Sequence, residues 1–296
     1  MMKFPQLRCI IMVGFAILVI SCTPNPYREI NRAHKKQVKV QVRDLLKTPL
    51  IKSDKSDTTK LNDLWVGTTN FNIRRPNFVI LHHTAQDSLG QTIHTFTATR
   101  TQVSSHYVIS RDGTVVQMLN DYLRAWHAGR GKWGHDTDLN SSSIGIELDN
   151  NGKEPFAEAQ IQSLLKLLKS LKENYNIPTA NFIGHADIAP SRKSDPNIYF
   201  PWKRLADEGF GFWYDDYMIM EIAIPNETGY TTEEVMLETV PSSFSPIEAL
   251  RIIGYDVSNL DAAIRAFKLH FVQKDIESGL TKNDIRILHN LYKKYL

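Results

Sequence analysis

Residues 79–85 read VILHHTA. An apolar run, Phe78 to Leu81, ends in two adjacent imidazoles and a threonine. A short apolar run of this kind predicts a buried strand. Successive strand side chains point to opposite faces, so His82 and His83 cannot both enter one site at the strand's end. One imidazole faces a site and the other packs or caps.

The segments around this strand set the fold class. Residues 88–99, SLGQTIHTFTAT, suit a helix. SHYVIS and TVVQML flank Arg111-Asp112-Gly113, a hairpin signal in which glycine supplies the positive φ. SIGIEL, 143–148, alternates as a strand. Phe156, Ile161, Leu164, Leu165, Leu168 and Leu171 recur at helical spacing, and Asn176 and Pro178 end that helix. NFIGH, 181–185, is another short strand. Strands mixed with helices, hairpin included, predict an α/β domain over 63–212 with a mixed central β-sheet flanked by helices.

Residues 213–235 read as a linker. In 236–296, Ser245, Pro246 and Glu248 have the order of an N-cap, a first helical residue and a capping box. Leu260, Ile264, Phe267 and Phe271 stripe a second helix. Ile285, Leu288 and Tyr292 stripe a third that begins at Thr281. The expectation is a small C-terminal three-helix bundle, with His270 and His289 partly exposed.

A second strand-end imidazole, His185, opens GHADIAPSRKSDP, 184–196, and Asp195 follows ten residues later. Two strand-end imidazoles and a loop carboxylate suit a catalytic zinc with one open position. In SIGIEL, Ile144, Ile146 and Leu148 share one face, and Gly145 and Glu147 the other. An acid in an otherwise apolar strand is costly unless paired or functional, which makes Glu147 the candidate general base. Lys193 places a cation near Asp195, where an oxyanion would develop. Trp126, His127 and Ala128, in AWHAG, read as a substrate-contact loop. His106, inside a strand pattern, is expected to be structural.

The chain of 296 residues has a net charge of +3, unevenly spread. Residues 28–60 hold ten Lys/Arg against four Asp/Glu, whereas the chain from Leu61 onward holds 23 against 28. The folded part is thus acidic, which argues against nucleic acid as a partner. The two cysteines, Cys9 and Cys22, lie near the N-terminus, so any metal elsewhere must be held by His and carboxylates. Lys3 and Arg8 precede a twelve-residue apolar run, 9–20, about 18 Å long as a helix. That is short for a membrane span and fits a secretory signal over 1–21. VISC, 19–22, has the order of a lipobox, so Cys22 is expected to be lipidated. Residues 22–62 then form a basic tether, with a short helix near 37–47.

FVILHHTA, SSHYVISRDGTV, AWHAG, SIGIEL and GHADIAPSRKSDP occur in this order over about 120 residues. Together they closely resemble the zinc-dependent N-acetylmuramoyl-L-alanine amidases of the type-2 family, related to phage amidase lysozymes and peptidoglycan recognition proteins. The resemblance implies one Zn²⁺ per chain on His82, His185 and Asp195, with Glu147 as base and Lys193 as electrostatic stabiliser. It leaves His83 in a supporting role. The family's segment after Asp-Pro is Gly-rich, and here it reads NIYFPW. The C-terminal bundle, with IGYDV and AAIRAFKLHF, resembles a small peptidoglycan-binding module. The order of lipobox, amidase domain and module resembles lipoprotein amidases of the outer membrane. The implied activity is hydrolysis of the amide between N-acetylmuramic acid and L-alanine, in peptidoglycan or muropeptides. A monomer is expected, lipid-anchored in the outer membrane and facing the periplasm. The alternative is a non-catalytic peptidoglycan receptor on the same fold.

Overall fold

The structure is a computed structural model that describes residues 25–46, 70, 73–216, 222–226, 229–233 and 239–296. The signal segment, Cys22 and residues 47–62 of the tether lie outside the described residues. Two compact units divide the chain, 1–69 and 70–296.

In the first unit, α1 (Arg28–Leu45) is longer than the helix expected near 37–47. At about 100° per residue, Arg28, Arg32, Lys35, Lys36, Lys39 and Arg43 fall along one side. Ile30, Val38, Val42 and Leu45 fall on the neighbouring side, and none of α1 is buried.

The second unit is built on a five-stranded mixed sheet. Along the chain come β1 (Phe78–His83), α2 (Leu89–Thr97), β2 (Tyr107–Ile109), β3 (Val115–Gln117), α3 (Leu139–Ser142) and β4 (Ser143–Leu148). Then follow α4 (Glu158–Tyr175), β5 (Phe182–Gly184), α5 (His185–Ile188) and α6 (Trp202–Asp207). The strand order is β3-β2-β4-β1-β5, and only the β2–β3 hairpin is antiparallel. Gly113 takes φ 86° in that hairpin, as its turn requires.

Two apolar cores flank the sheet. Val79, Leu81, Ile144, Ile146 and Leu148 face α4, whose Ile161, Leu164, Leu168 and Leu171 supply the facing stripe. Ile80 and Ile183 face the opposite way, and there the covering layer comes from the C-terminus. It consists of α7 (Pro246–Ile253), α8 (Leu260–Phe267), a π-helical turn (Lys268–Val272) and α9 (Lys282–Tyr295). Leu250, Phe267, Phe271 and Leu288 belong to the same core as Ile80. The three expected helices are present, with Ser245 and Thr281 as N-caps.

Two expectations for this part of the chain need correction. Residues 213–235 are not simply a linker. Trp213 and Tyr214 pack on the shared core, and a hairpin joins β6 (Ile222–Asn226) to β7 (Gly229–Glu233). The helices share their core with the sheet. His270 and His289 are buried rather than partly exposed. For His270 the cause is a carboxylate partner distant in sequence, Asp187.

Candidate metal and catalytic site

The site sits at the C-terminal ends of β1, β4 and β5. Parallel strands deliver their ends to one edge of a sheet, so residues far apart in sequence meet there. His82 is level with Glu147 on the neighbouring strand, and His185 begins the turn after β5. Asp195 arrives on the following loop, tied back by a 2.8 Å bond from the Ala186 N–H to the Asp195 carbonyl. His82, His185 and Asp195 are all buried.

Their facing atoms converge closely. His82 Nδ1 lies 2.9 Å from His185 Nδ1, and Asp195 Oδ2 lies 3.1 Å from each. The surrounding bonds assign the imidazole protons. His185 Nε2 is 3.1 Å from the Ala128 carbonyl, which can only accept, so that nitrogen carries the proton. Ser143 donates its hydroxyl to the Leu139 carbonyl and therefore accepts from His127 Nε2 at 3.2 Å. His127 Nδ1 is then an acceptor, and His82 Nε2 donates to it at 3.1 Å. Both Nδ1 atoms are thereby left with lone pairs aimed at one carboxylate oxygen.

Three electron-rich atoms about 3 Å apart repel unless a proton or cation lies among them. Burial, followed by the neighbouring His185, lowers the His82 pKa to about 4, so a proton is not the answer near neutrality. Two neutral imidazoles and one anionic oxygen fit a borderline-soft divalent cation. The outer bonds to His127 and Ala128 orient the rings as such sites require.

Glu147 stands on the same edge, 8% exposed, and its Oε2 is buried without a hydrogen-bond partner. Burial, and then the Asp195 charge, push its carboxyl up to about 8. A carboxyl near that value can take and return a proton at neutral pH. Lys193 is exposed on the rim of the cleft beside His185. Its charge acts on Glu147 in the opposite sense to burial.

The AWHAG loop divides its tasks. Trp126 is 52% exposed and lines the cleft. His127 and Ala128 are buried and hold the two imidazoles, and His127 also borders the cleft. The Asn140 side chain accepts from both of their backbone N–H groups, at 3.0 and 2.9 Å. A Cβ on Gly145 would lie 2.4 Å from His127 Cγ, so the bare backbone of β4 makes room for that ring. Asn140, Ser143 and Gly145 went unread as site residues. Gly145 carried a faint signal, as the one residue without a side chain inside β4. His83 is partly exposed and stands apart from the three converging atoms. His106 is buried and structural, accepting from the Gly145 N–H at 3.0 Å.

Comparisons with known proteins agree with this geometry. Residues 72–198 match the family profile described as N-acetylmuramoyl-L-alanine amidase. The chain is 34% identical over 219 residues to N-acetylmuramoyl-L-alanine amidase AmiD of Escherichia coli K12, covering 67% of this chain and 75% of that protein. A solved structure of the E. coli amidase, in complex with the substrate anhydro-N-acetylmuramic acid-L-Ala-D-γ-Glu-L-Lys, superposes with a TM-score of 0.62 at 30% identity. It covers 77% of this chain and 93% of that one. AmpDh3 of Pseudomonas aeruginosa, in complex with anhydromuramic pentapeptide, gives 0.63 at 28% identity, covering 83% and 99%. The chain belongs to the N-acetylmuramoyl-L-alanine amidase family. With Glu147 and the converging donors all in place, a catalytic amidase is favoured over the receptor alternative.

Proposed function

We propose that this chain hydrolyses the amide between the lactyl group of N-acetylmuramic acid and the L-alanine of the stem peptide, in peptidoglycan fragments, with zinc held by His82, His185 and Asp195. The observation that carries the reading is the convergence of three lone-pair atoms beside a carboxyl with an unpartnered oxygen. Zinc would supply a Lewis acid that polarises the scissile carbonyl and lowers the proton affinity of water. Glu147 receives the proton of the attacking water and returns it to the leaving amine nitrogen. Lys193 offers positive charge to the oxyanion from the rim. The exposed indole of Trp126 supplies an apolar wall for the sugar or peptide. His127 and the Ala128 carbonyl keep the two imidazoles turned inward.

The test is product analysis. Purified protein, with and without chelator, is incubated with an anhydro-muramoyl peptide and the products are weighed. The expected products are the free sugar acid and a peptide with a new L-alanine amino terminus, in the chelator-free sample only. Cleavage inside the stem peptide would indicate a peptidase, and binding without turnover a receptor.

The reading extends to location. Cys22 is lipidated and anchors a monomer in the outer membrane, facing the periplasm. The lipobox supports this, as does the cationic side of α1, since each basic residue near an anionic lipid surface contributes about 1 kcal/mol. Cys22→Ser is expected to release the protein from the membrane fraction at high salt, and retention would refute the anchor. The C-terminal helices, by their resemblance to wall-binding modules, contact peptidoglycan through surfaces outside the shared core.

A further inference from the structure

The C-terminal helices reach the turn that carries the ligand His185 through the carboxylate of Asp187. Asp187 lies on α5, two residues after His185, and is buried. Its Oδ2 accepts from the Gly184 N–H at 2.7 Å, closing the one-turn helix that starts at His185. The same oxygen accepts from His270 Nδ1 at 2.7 Å, and Oδ1 accepts from the Tyr255 hydroxyl at 2.7 Å. His270 and Tyr255 are themselves buried, and both come from the C-terminal layer.

Packing fixes the donors in turn. The His270 ring stacks on Trp202, centroids 3.8 Å apart and 18° from parallel. The π turn at Lys268–Val272 brings Lys268, His270 and Phe271 all inward. Such one-residue widenings of a helix are often found at functional positions. Just beyond it, the Gln273 side chain donates to the Ile198 and Phe200 carbonyls at 2.9 and 2.6 Å, on the loop that follows Asp195. The same layer thus holds the chain within the segment that carries His185 and Asp195 and again just beyond it.

We infer that His270 and Tyr255 are positioning residues for metal binding: acting through Asp187, they fix the turn that aims His185 at the metal. This rests on the zinc reading above and deepens it, because it makes the C-terminal layer part of the metal site as well as a cover for the sheet. His270 and Tyr255 act on the metal only through Asp187. Outer partners of this kind typically change metal affinity about 10–100-fold when removed.

The experiment uses the full chain. Zinc affinity is measured by chelator competition, together with the visible spectrum of the cobalt-substituted protein and the melting temperature of the metal-free form. Tyr255→Phe removes one oxygen and keeps the ring. His270→Phe keeps a ring to stack on Trp202 and loses the donor. His270→Asn loses the ring and keeps a donor near the position of Nδ1. Tyr255→Phe and His270→Phe are expected to weaken zinc binding about 10–100-fold and to alter the cobalt spectrum. His270→Asn should recover most of that affinity whatever its melting temperature. Unchanged zinc affinity and cobalt spectrum in Tyr255→Phe, which is conservative enough to fold, would overturn the inference even if the melting temperature fell. A wild-type chain that binds neither zinc nor cobalt would overturn the metal reading itself, a separate result.

Discussion

Two buried groups of imidazole and carboxylate lie next to each other in this protein, and they are wired in opposite ways. Around Asp187, each carboxylate oxygen receives a donor: His270 and the Gly184 N–H on one, Tyr255 on the other. Around Asp195, the outer bonds use up the imidazole protons and leave lone pairs facing the carboxylate. Polar groups buried with matched partners stabilise a fold, whereas unmatched ones destabilise it. The first group is complete as it stands. The second becomes complete only when something positive enters it, and burial alone does not distinguish the two.

The sharpest way to break the contrast is to remove a donor atom from the incomplete group. His82→Ala, His185→Ala and Asp195→Ala should each lose bound zinc and turnover, since three ligands leave no redundancy. Elemental analysis should fall from about one zinc per chain to near zero. His83→Ala should retain its metal, because His83 stands outside the converging set. Full zinc content in the three ligand variants would show that the wiring has been misread.

Glu147→Gln should keep the metal while turnover falls about 10²–10⁴-fold, the usual range for losing a general acid–base group. Single-turnover kinetics on a soluble muropeptide, paired with metal analysis, separates this outcome from ligand loss. Chelation should have a different effect. At a free zinc concentration 1,000 times Kd, the bound ion contributes about 4 kcal/mol to stability. Stripping it should therefore lower the melting temperature while the folded chain, with its Asp187 group, persists.

The metal-free protein should also show a pH signature. The Glu147 carboxyl has a folded pKa raised to about 8 by burial and then by Asp195, against an ordinary value of 4.5. The folded state therefore holds a proton that the unfolded chain releases between these values. Stability falls as pH rises through that window and levels off above it. Glu147→Gln removes the dependence. Its melting temperature should gain on the wild type between pH 5 and pH 8, with the difference constant beyond. A gain independent of pH would place the proton elsewhere. The smallest expected effect is that of Gly145→Ala, whose added methyl meets His127 at 2.4 Å. Overpacking of this kind costs about 1–3 kcal/mol. It should displace His127 from His82 and loosen zinc along with the fold, as calorimetry in the two metal states would reveal.

Much of the site could be read before the fold was known, and for a local reason. An apolar run that ends in histidine is visible within seven residues, and so is a lone glutamate in an alternating strand. These patterns identified His185 and Glu147, with Asp195 close behind, as well as the hairpin at Gly113 and α4; they left His82 and His83 open, and the family resemblance chose His82. What escaped depends on partners distant in the chain. Each C-terminal helix shows one apolar stripe, but a stripe does not say what it covers, so its docking over Ile80 and Ile183 was invisible. His270 looks like a surface residue until Asp187, 83 positions earlier, is placed beside it. That His127 also orients His82 was invisible, because its burial depends on the missing side chain of Gly145. The hairpin of β6 and β7 was missed because Pro225, Asn226 and Gly229 read as part of a linker.

One feature of the sheet bears on how this site can be re-engineered. His82 and Glu147 occupy the same rung of the parallel β1–β4 ladder. The gap between their backbones is therefore a strand spacing, about 4.8 Å, and no side-chain packing can stretch it. The ladder acts as a ruler, and the only adjustable length is the number of carbons beyond it. Aspartate at 147 would stand on the same mark and stop one carbon short, about 1.5 Å. Moving the base by slipping the strand is closed as well, because a one-residue slip would turn Ile146 and Leu148 out of the core. A chemist redesigning this edge can change what is mounted on the rung, but not where the rung is.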